Sequence, residues 1–107
     1  MSSAIRAIHA DPGHDWRLGE LAAISHLSRS QFSARFRESV GRSPMDYLLH
    51  WRMTVARRAL ATRGASVGAV AANLGYTSES AFGVAFRRVT GITPRRALVN
   101  LKNKPTS

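Results

Sequence analysis

The chain has 107 residues, enough for one domain or two very small ones, and too few for a large multidomain enzyme. Sixteen Lys and Arg against six Asp and Glu give a net charge of +10, a single-sign field that points to a polyanionic partner. Hydrophobic residues at 44% and charged residues at 21% exclude a disordered basic tail, and the absence of cysteine excludes disulfides, thiolate zinc sites and cysteine nucleophiles. No apolar run approaches the roughly 18 residues of a membrane span, and the N-terminus lacks a basic region followed by an apolar stretch. Fourteen of the sixteen basic residues are Arg, which suits phosphate and guanine recognition and equally fits codon bias in a GC-rich, Ala-rich genome.

In chain order, 3–10 reads as a short helix with Ile5 and Ile8 inward, stopped by Asp11-Pro12-Gly13. Leu18, Leu21, Ala22 and Ile24 make the next helix, and Ser25-His26-Leu27 its turn. Ser28 caps a third helix, with Gln31 three residues on completing a capping box, and Gly41 supplies the left-handed stop. Ser43-Pro44-Met45-Asp46 then opens a long helix running to about Arg63 and ended by Gly64. Its expected buried stripe is Met45, Tyr47, Leu48, Trp51, Val55 and Ala59, with His50, Arg52, Arg57 and Arg58 outside. Ser66 caps a helix to Leu74, Gly75 turns the chain, Ser78 opens a helix that Gly91 closes, and Thr93-Pro94 starts a final one. The reading is all-α with seven helices. Residues 1–43 form a first helix-turn-helix subdomain, 44–63 a linker helix, 64–100 a second subdomain and 101–107 a frayed tail.

This order contains a repeat. A shift of fifty residues makes eight of the twenty-one positions from Ser28 to Leu48 identical, including all four phenylalanines as Phe32/Phe82 and Phe36/Phe86. Upstream the register is forty-nine, Leu21-Ala22 against Val70-Ala71, so one extra residue lies between Tyr76 and Ser78 and marks a turn.

With Phe32 at zero and Phe36 at about 40 degrees, the outward direction lies near about 200 degrees. Ser30, Ala34, Arg37 and Glu38 then point outward, flanked by Arg29 and Ser33; in the second copy Ser80, Val84, Arg87 and Arg88 do so, flanked by Glu79 and Gly83. A capped helix after a tight turn, showing small or basic residues, is what a major-groove reader requires. Candidate base-reading residues are therefore Arg29, Ser30, Ser33, Ala34 and Arg37, with Glu79, Ser80, Gly83, Val84 and Arg87 in copy two. Candidate phosphate contacts are Ser28, Arg42, Ser78, Arg88, Arg95 and Arg96. Ser28 and Ser78 are also plain caps, and Arg37 and Arg87 also complement the helix dipole, so each has a structural role open to it. Arg95 and Arg96 oppose the dipole of the last helix, which a nearby phosphate would explain. Copy one, richer in hydrogen-bonding side chains, is expected to be the sharper reader. In copy two Val84 offers a thymine methyl an apolar contact, and Glu79 could accept from cytosine or merely repel phosphate.

The carboxylates form no evident acid/base pair, and His9, His14, His26 and His50 share no helix face, so neither an enzyme nor a metal or cofactor site is expected. A non-specific architectural DNA- or RNA-binding protein is the main alternative, and a basic membrane-surface protein a weaker one.

The series Leu21-Ala22, Ser28-Arg29-Ser30-Gln31-Phe32, Arg35-Phe36, Gly41-Arg42-Ser43-Pro44-Met45-Asp46-Tyr47-Leu48, Trp51-Arg52-Met53, Ala56-Arg57, Gly75-Tyr76-Thr77-Ser78, Ala81-Phe82, Ala85-Phe86-Arg87-Arg88 and Gly91-Ile92-Thr93-Pro94 resembles the AraC/XylS type of transcriptional regulator. The resemblance spans about Trp16 to Ala97 and implies sequence-specific binding of double-stranded DNA by two helix-turn-helix subdomains joined by a long helix, in the cytoplasm of a bacterium with the nucleoid. It further implies RNA polymerase as a candidate partner and an N-terminal sensor domain, cupin-like by the similarity of Trp16, Arg52 and Ile8-His9-Ala10-Asp11-Pro12. The chain departs from the family at Arg17, where Thr or Ser is common, so the helix cap is expected to shift to Asp15; and at Ala34 and Val84, where Arg is common. A linker helix of roughly 20 residues is roughly 30 Å long, close to one turn of B-DNA, so the readers are expected in successive major grooves, with modest DNA bending or one reader engaged at a time.

Overall fold

A computed structural model describes residues 2–102, and of 99–102 the backbone alone. Among the described residues there are seven α-helices and no strand: α1 (Ser2–Ala10), α2 (Leu18–Ile24), α3 (Arg29–Val40), α4 (Pro44–Leu60), α5 (Val67–Asn73), α6 (Glu79–Thr90) and α7 (Pro94–Lys102). Helix α7 extends its backbone into the stretch expected as tail, of which 103–107 lie outside the described residues. The chain divides into two compact units between Trp51 and Arg52, inside α4.

In the first unit, Ala4 and Ile8 of α1, Leu21 and Ala22 of α2, Phe32 and Phe36 of α3 and Leu48 of α4 form one buried cluster. The apolar residues of α3 recur every four positions, so both rings fall on one face and pack at 5.6 Å. Phe36 also meets Tyr47 edge-on at 5.6 Å, and burial pushes the Tyr47 hydroxyl above its ordinary pKa. Tyr47 is hydrogen-bonded to His9 at 2.7 Å, and the His9 ring stacks on Trp51 at 3.9 Å, which fastens the end of α1. The Trp16 indole closes the following turn by donating to the Asp11 carbonyl at 2.7 Å.

In the second unit Met53, Ala56 and Leu60 of α4, Val70 and Ala71 of α5, Leu74 at its end, Phe82 and Phe86 of α6 and Ala97 of α7 are buried. Phe82 and Phe86 again lie 5.6 Å apart.

The two turns repeat bond for bond at a register of forty-nine. Leu27 N–H donates to the Ala22 carbonyl at 3.0 Å and His26 N–H to Ala23 at 3.1 Å; Tyr76 donates to Ala71 and Gly75 to Ala72, both at 3.0 Å. This is the paired helix stop that places the intervening residue in the left-handed region. Gly75 meets that demand at φ +82, whereas copy one holds a histidine there, His26 at φ +58. Replacing His26 with Gly removes the Cβ clash and is expected to raise the unfolding free energy by about 0.5–1 kcal/mol, read as a higher midpoint in urea. An unchanged or lower midpoint would show that the turn stores no such strain.

The caps follow the expected residues. Ser28 Oγ accepts from Gln31 N–H while Ser28 N–H donates to Gln31 Oε1, both at 3.2 Å, completing the box. Ser66 and Ser78 accept from Ala69 and Ala81 at 3.1 and 3.0 Å. Gly41 and Gly91 end α3 and α6 at φ +85 and +84.

Three expectations are corrected. Helix α2 begins at Leu18 with Arg17 in the cap position and no side-chain cap bond. Asp15 is held instead by Arg17 at 3.1 Å, and the helix start is met by the first-turn carboxylate of Glu20, which accepts from His14 Nε2 at 3.0 Å. Helix α4 ends at Leu60 rather than near Arg63, because Leu60 is its last buried anchor and Ala61, Thr62 and Ala65 turn back onto the preceding carbonyls before Gly64 at φ +79. Its buried residues are not one stripe: Leu48 belongs to the first unit and Met53, Ala56 and Leu60 to the second. Met45, expected inward, is 42% exposed, and Tyr47, Trp51, Val55 and Ala59 are half-buried.

Candidate nucleic-acid interface

Burial of Phe32 and Phe36 fixes the opposite face of α3, and Ser30, Ala34, Arg37 and Glu38 are exposed on it, with Ser33 half-buried at the edge. In α6, Phe82 and Phe86 do the same for Ser80, Val84, Arg87 and Arg88, with Gly83 half-buried. Both exposed faces therefore carry small side chains in the first turns and Arg in the last, a profile that would let a helix approach base edges closely.

The first residue of each reading helix behaves differently. A Cβ on Gly19 would stand 3.0 Å from Arg29 Nε and 3.2 Å from Nη2, so the Arg29 guanidinium lies against the first turn of α2. The second copy repeats the arrangement with opposite charge, a Cβ on Gly68 standing 3.3 Å from Glu79 Oε1. Glu79 sits in the first turn of α6, where the dipole favours an anion, and Arg29 sits where it does not. Sequence reasoning missed Gly19 and Gly68 as seats for these side chains, although the two glycines coincide on the forty-nine-residue register.

The cations are not equally free. Arg42 Nη1 is paired with Asp46 at 3.1 Å, and Asp46 also lies 3.7 Å from His50 Nε2. Arg37, Arg87, Arg88, Arg95 and Arg96 are exposed and carry no ion pair among the described residues. Thr93 Oγ1 accepts from Arg96 N–H at 3.2 Å, which caps α7 and fixes Arg95 and Arg96 in its first turn. Ser28 and Ser78 are engaged as caps through their hydroxyls.

Five candidates of copy two, Glu79, Ser80, Gly83, Val84 and Arg87, line one concavity of about 380 Å³ together with Val67, Thr93, Pro94 and Arg95. The start of α7 and residue Val67 were not foreseen as walls of the reading surface. Behind it, Tyr76 packs 5.5 Å from Phe82; burial raises its hydroxyl pKa, and the Arg52 charge acts in the opposite sense. No described helix is long and apolar enough to cross a membrane.

The family described as Helix-turn-helix domain matches residues 21–98. The chain belongs to the AraC-type helix-turn-helix family. A Streptomyces antibioticus protein of the AraC-like transcription regulator type is 44% identical over 94 residues, 88% of this chain and 31% of that protein. The RCS-specific transcriptional activator RclR of Escherichia coli is 35% identical over 94 residues, 88% of this chain and 33% of its own length. This AraC-type chain thus spans about a third of the length of the curated relatives it matches. Among solved structures it is similar to the DNA-binding domain of the global transcriptional factor AdpA in complex with a target DNA, with a TM-score of 0.89, 28% identity, and coverage of 99% of this chain and 96% of that one.

Proposed function

We propose that this AraC-type domain reads double-stranded DNA in a sequence-specific manner for transcription regulation, with α3 and α6 as reading helices in successive major grooves. The observation that carries this reading is the duplicated exposed face, small residues then Arg, held outward by a duplicated phenylalanine pair. Ser30, Ser33, Ala34 and Arg37 read bases in copy one, and Ser80, Gly83, Val84 and Arg87 in copy two. Arg29 and Glu79 reach bases by leaving their seats on Gly19 and Gly68. Ser28, Arg42, Ser78, Arg88, Arg95 and Arg96 meet phosphates, Arg42 while shared with Asp46. The work is binding rather than catalysis, in the bacterial cytoplasm with the nucleoid. RNA polymerase and a cupin-like N-terminal sensor are its protein partners.

Selection of random duplexes by the domain at physiological salt with excess competitor is expected to enrich two elements one helical turn apart. No enrichment would favour a non-specific binder instead. Circular-permutation gel shifts then separate bent DNA from engagement of one reader at a time. Arg95→Ala and Arg96→Ala are each expected to weaken binding evenly across sequences and to flatten the logarithmic salt slope by about 1. A change confined to one base position would remove both from the phosphate set.

A further inference from the structure

The concavity beside α6 carries an inference that rests on the DNA-reading role and specifies what its second helix recognises. Val84 is 69% exposed, standing on the outward face of α6 of a chain with net charge +10. A single exposed valine needs no explanation. Here, however, it forms one side of a trough whose other apolar walls are Val67 and Pro94 and whose floor opens at Gly83. A Cβ on Gly83 would meet nothing within 4 Å, so the space above that glycine is open. The rim carries two cations and one anion: Arg87 and Arg95 line the same trough and carry no ion pair among the described residues, while the Glu79 carboxylate lies over Gly68.

An apolar floor between unpaired guanidinium groups suits an occupant that is apolar at its centre and anionic at its edges. A base edge in the major groove, flanked by phosphates, has that profile only when it carries a methyl group, and thymine alone among the four bases does. Val84 has no donor or acceptor, so it cannot distinguish bases by hydrogen bonds, whereas it gains by covering a methyl. The volume of about 380 Å³ exceeds a single methyl, leaving room for an adjacent base edge within reach of Arg87 while Arg95 holds the backbone.

We propose that the trough formed by Val67, Gly83, Val84 and Pro94 is a reader of the pyrimidine C5-methyl group, so that α6 selects thymine at its central position and accepts 5-methylcytosine there. One buried methyl corresponds to about a fourfold change in affinity, weaker than a bidentate arginine contact and consistent with α3 as the sharper reader.

The test uses the duplex enriched by the selection above, with each thymine replaced singly by uracil, which removes the methyl and leaves every hydrogen-bonding group. Wild type is expected to lose about fourfold at one or two thymines of a single element, and, in duplexes carrying C·G at those positions, to gain about fourfold when that cytosine is 5-methylated. Val84→Ala, an exposed helix substitution expected to keep or slightly raise the melting midpoint, is expected to shrink the difference between the thymine and uracil duplexes. Gly83→Ala fills the open floor and is expected to raise thermal stability while erasing the thymine preference. A flat uracil series in wild type, or losses that persist unchanged in Val84→Ala, overturns the inference and leaves the trough to another occupant such as a protein partner. Absence of any sequence preference in wild type overturns the DNA-reading role itself, and the methyl reader with it.

Discussion

Replacing Phe36 with alanine is expected to lower the unfolding free energy by about 3–5 kcal/mol, read from the urea midpoint at an unchanged slope. Phe36 is fully buried, packs on Phe32, and presents an edge to Tyr47 of α4, so its loss leaves a cavity that touches two helices. A domain of this size has about 5–15 kcal/mol in total, so the loss is a large fraction of it. Phe86 occupies the same place in the second copy, equally buried and 5.6 Å from Phe82, and is expected to cost a comparable amount. Phe36→Leu keeps most of the volume and should cost clearly less, about 1–2 kcal/mol, because the hole is smaller and the site can close around it. If Phe36→Ala cost less than about 1 kcal/mol, α3 would have to be held by contacts other than its aromatic face, and the outward placement of Arg37 would lose its physical basis.

The repeat made most of the architecture legible. Serine caps, glycine stops and a four-residue aromatic spacing are local signals, and a second copy in register turns each of them into a paired observation; hence the faces of α3 and α6 opposite the phenylalanines are exposed as expected. What stayed hidden depends on neighbours distant in sequence. Helix α4 buries Leu48 in one unit and Met53, Ala56 and Leu60 in the other, so a single-stripe reading wrongly turned Met45 inward. Asp15 does not cap α2: Arg17 occupies the cap position, and Asp15, two residues before it, lies on the surface against the Arg17 guanidinium. The trough beside Val84 needs Val67 from one stretch and Pro94-Arg95 from another, and no periodicity announces such a meeting. The seats of Arg29 and Glu79 were within reach of sequence reasoning, since Gly19 and Gly68 repeat, but a glycine inside a helix reads as a weakness until something is found lying on it.

Arg37→Ala decides between two roles that the same residue can hold. Arg37 lies in the last turn of α3, where a cation complements the exposed carbonyls, and its own carbonyl accepts from Gly41 N–H at 2.8 Å. If that were its whole purpose, alanine would cost about 0.3–1 kcal/mol of stability and leave DNA affinity within about twofold. A guanidinium placed bidentately on a guanine edge is worth about 1–3 kcal/mol of discrimination, which is about 5- to 150-fold in affinity for the selected duplex. The second figure exceeds the first, so the expected result is an unfolding midpoint close to wild type together with a loss of operator binding in that range. Arg37→Lys separates charge from geometry: it keeps the cation but lacks the planar fork, so it should preserve the salt slope while losing the base preference. Rescue of full specificity by lysine would place Arg37 on a phosphate, and an affinity unmoved by alanine would return it to the helix end it caps.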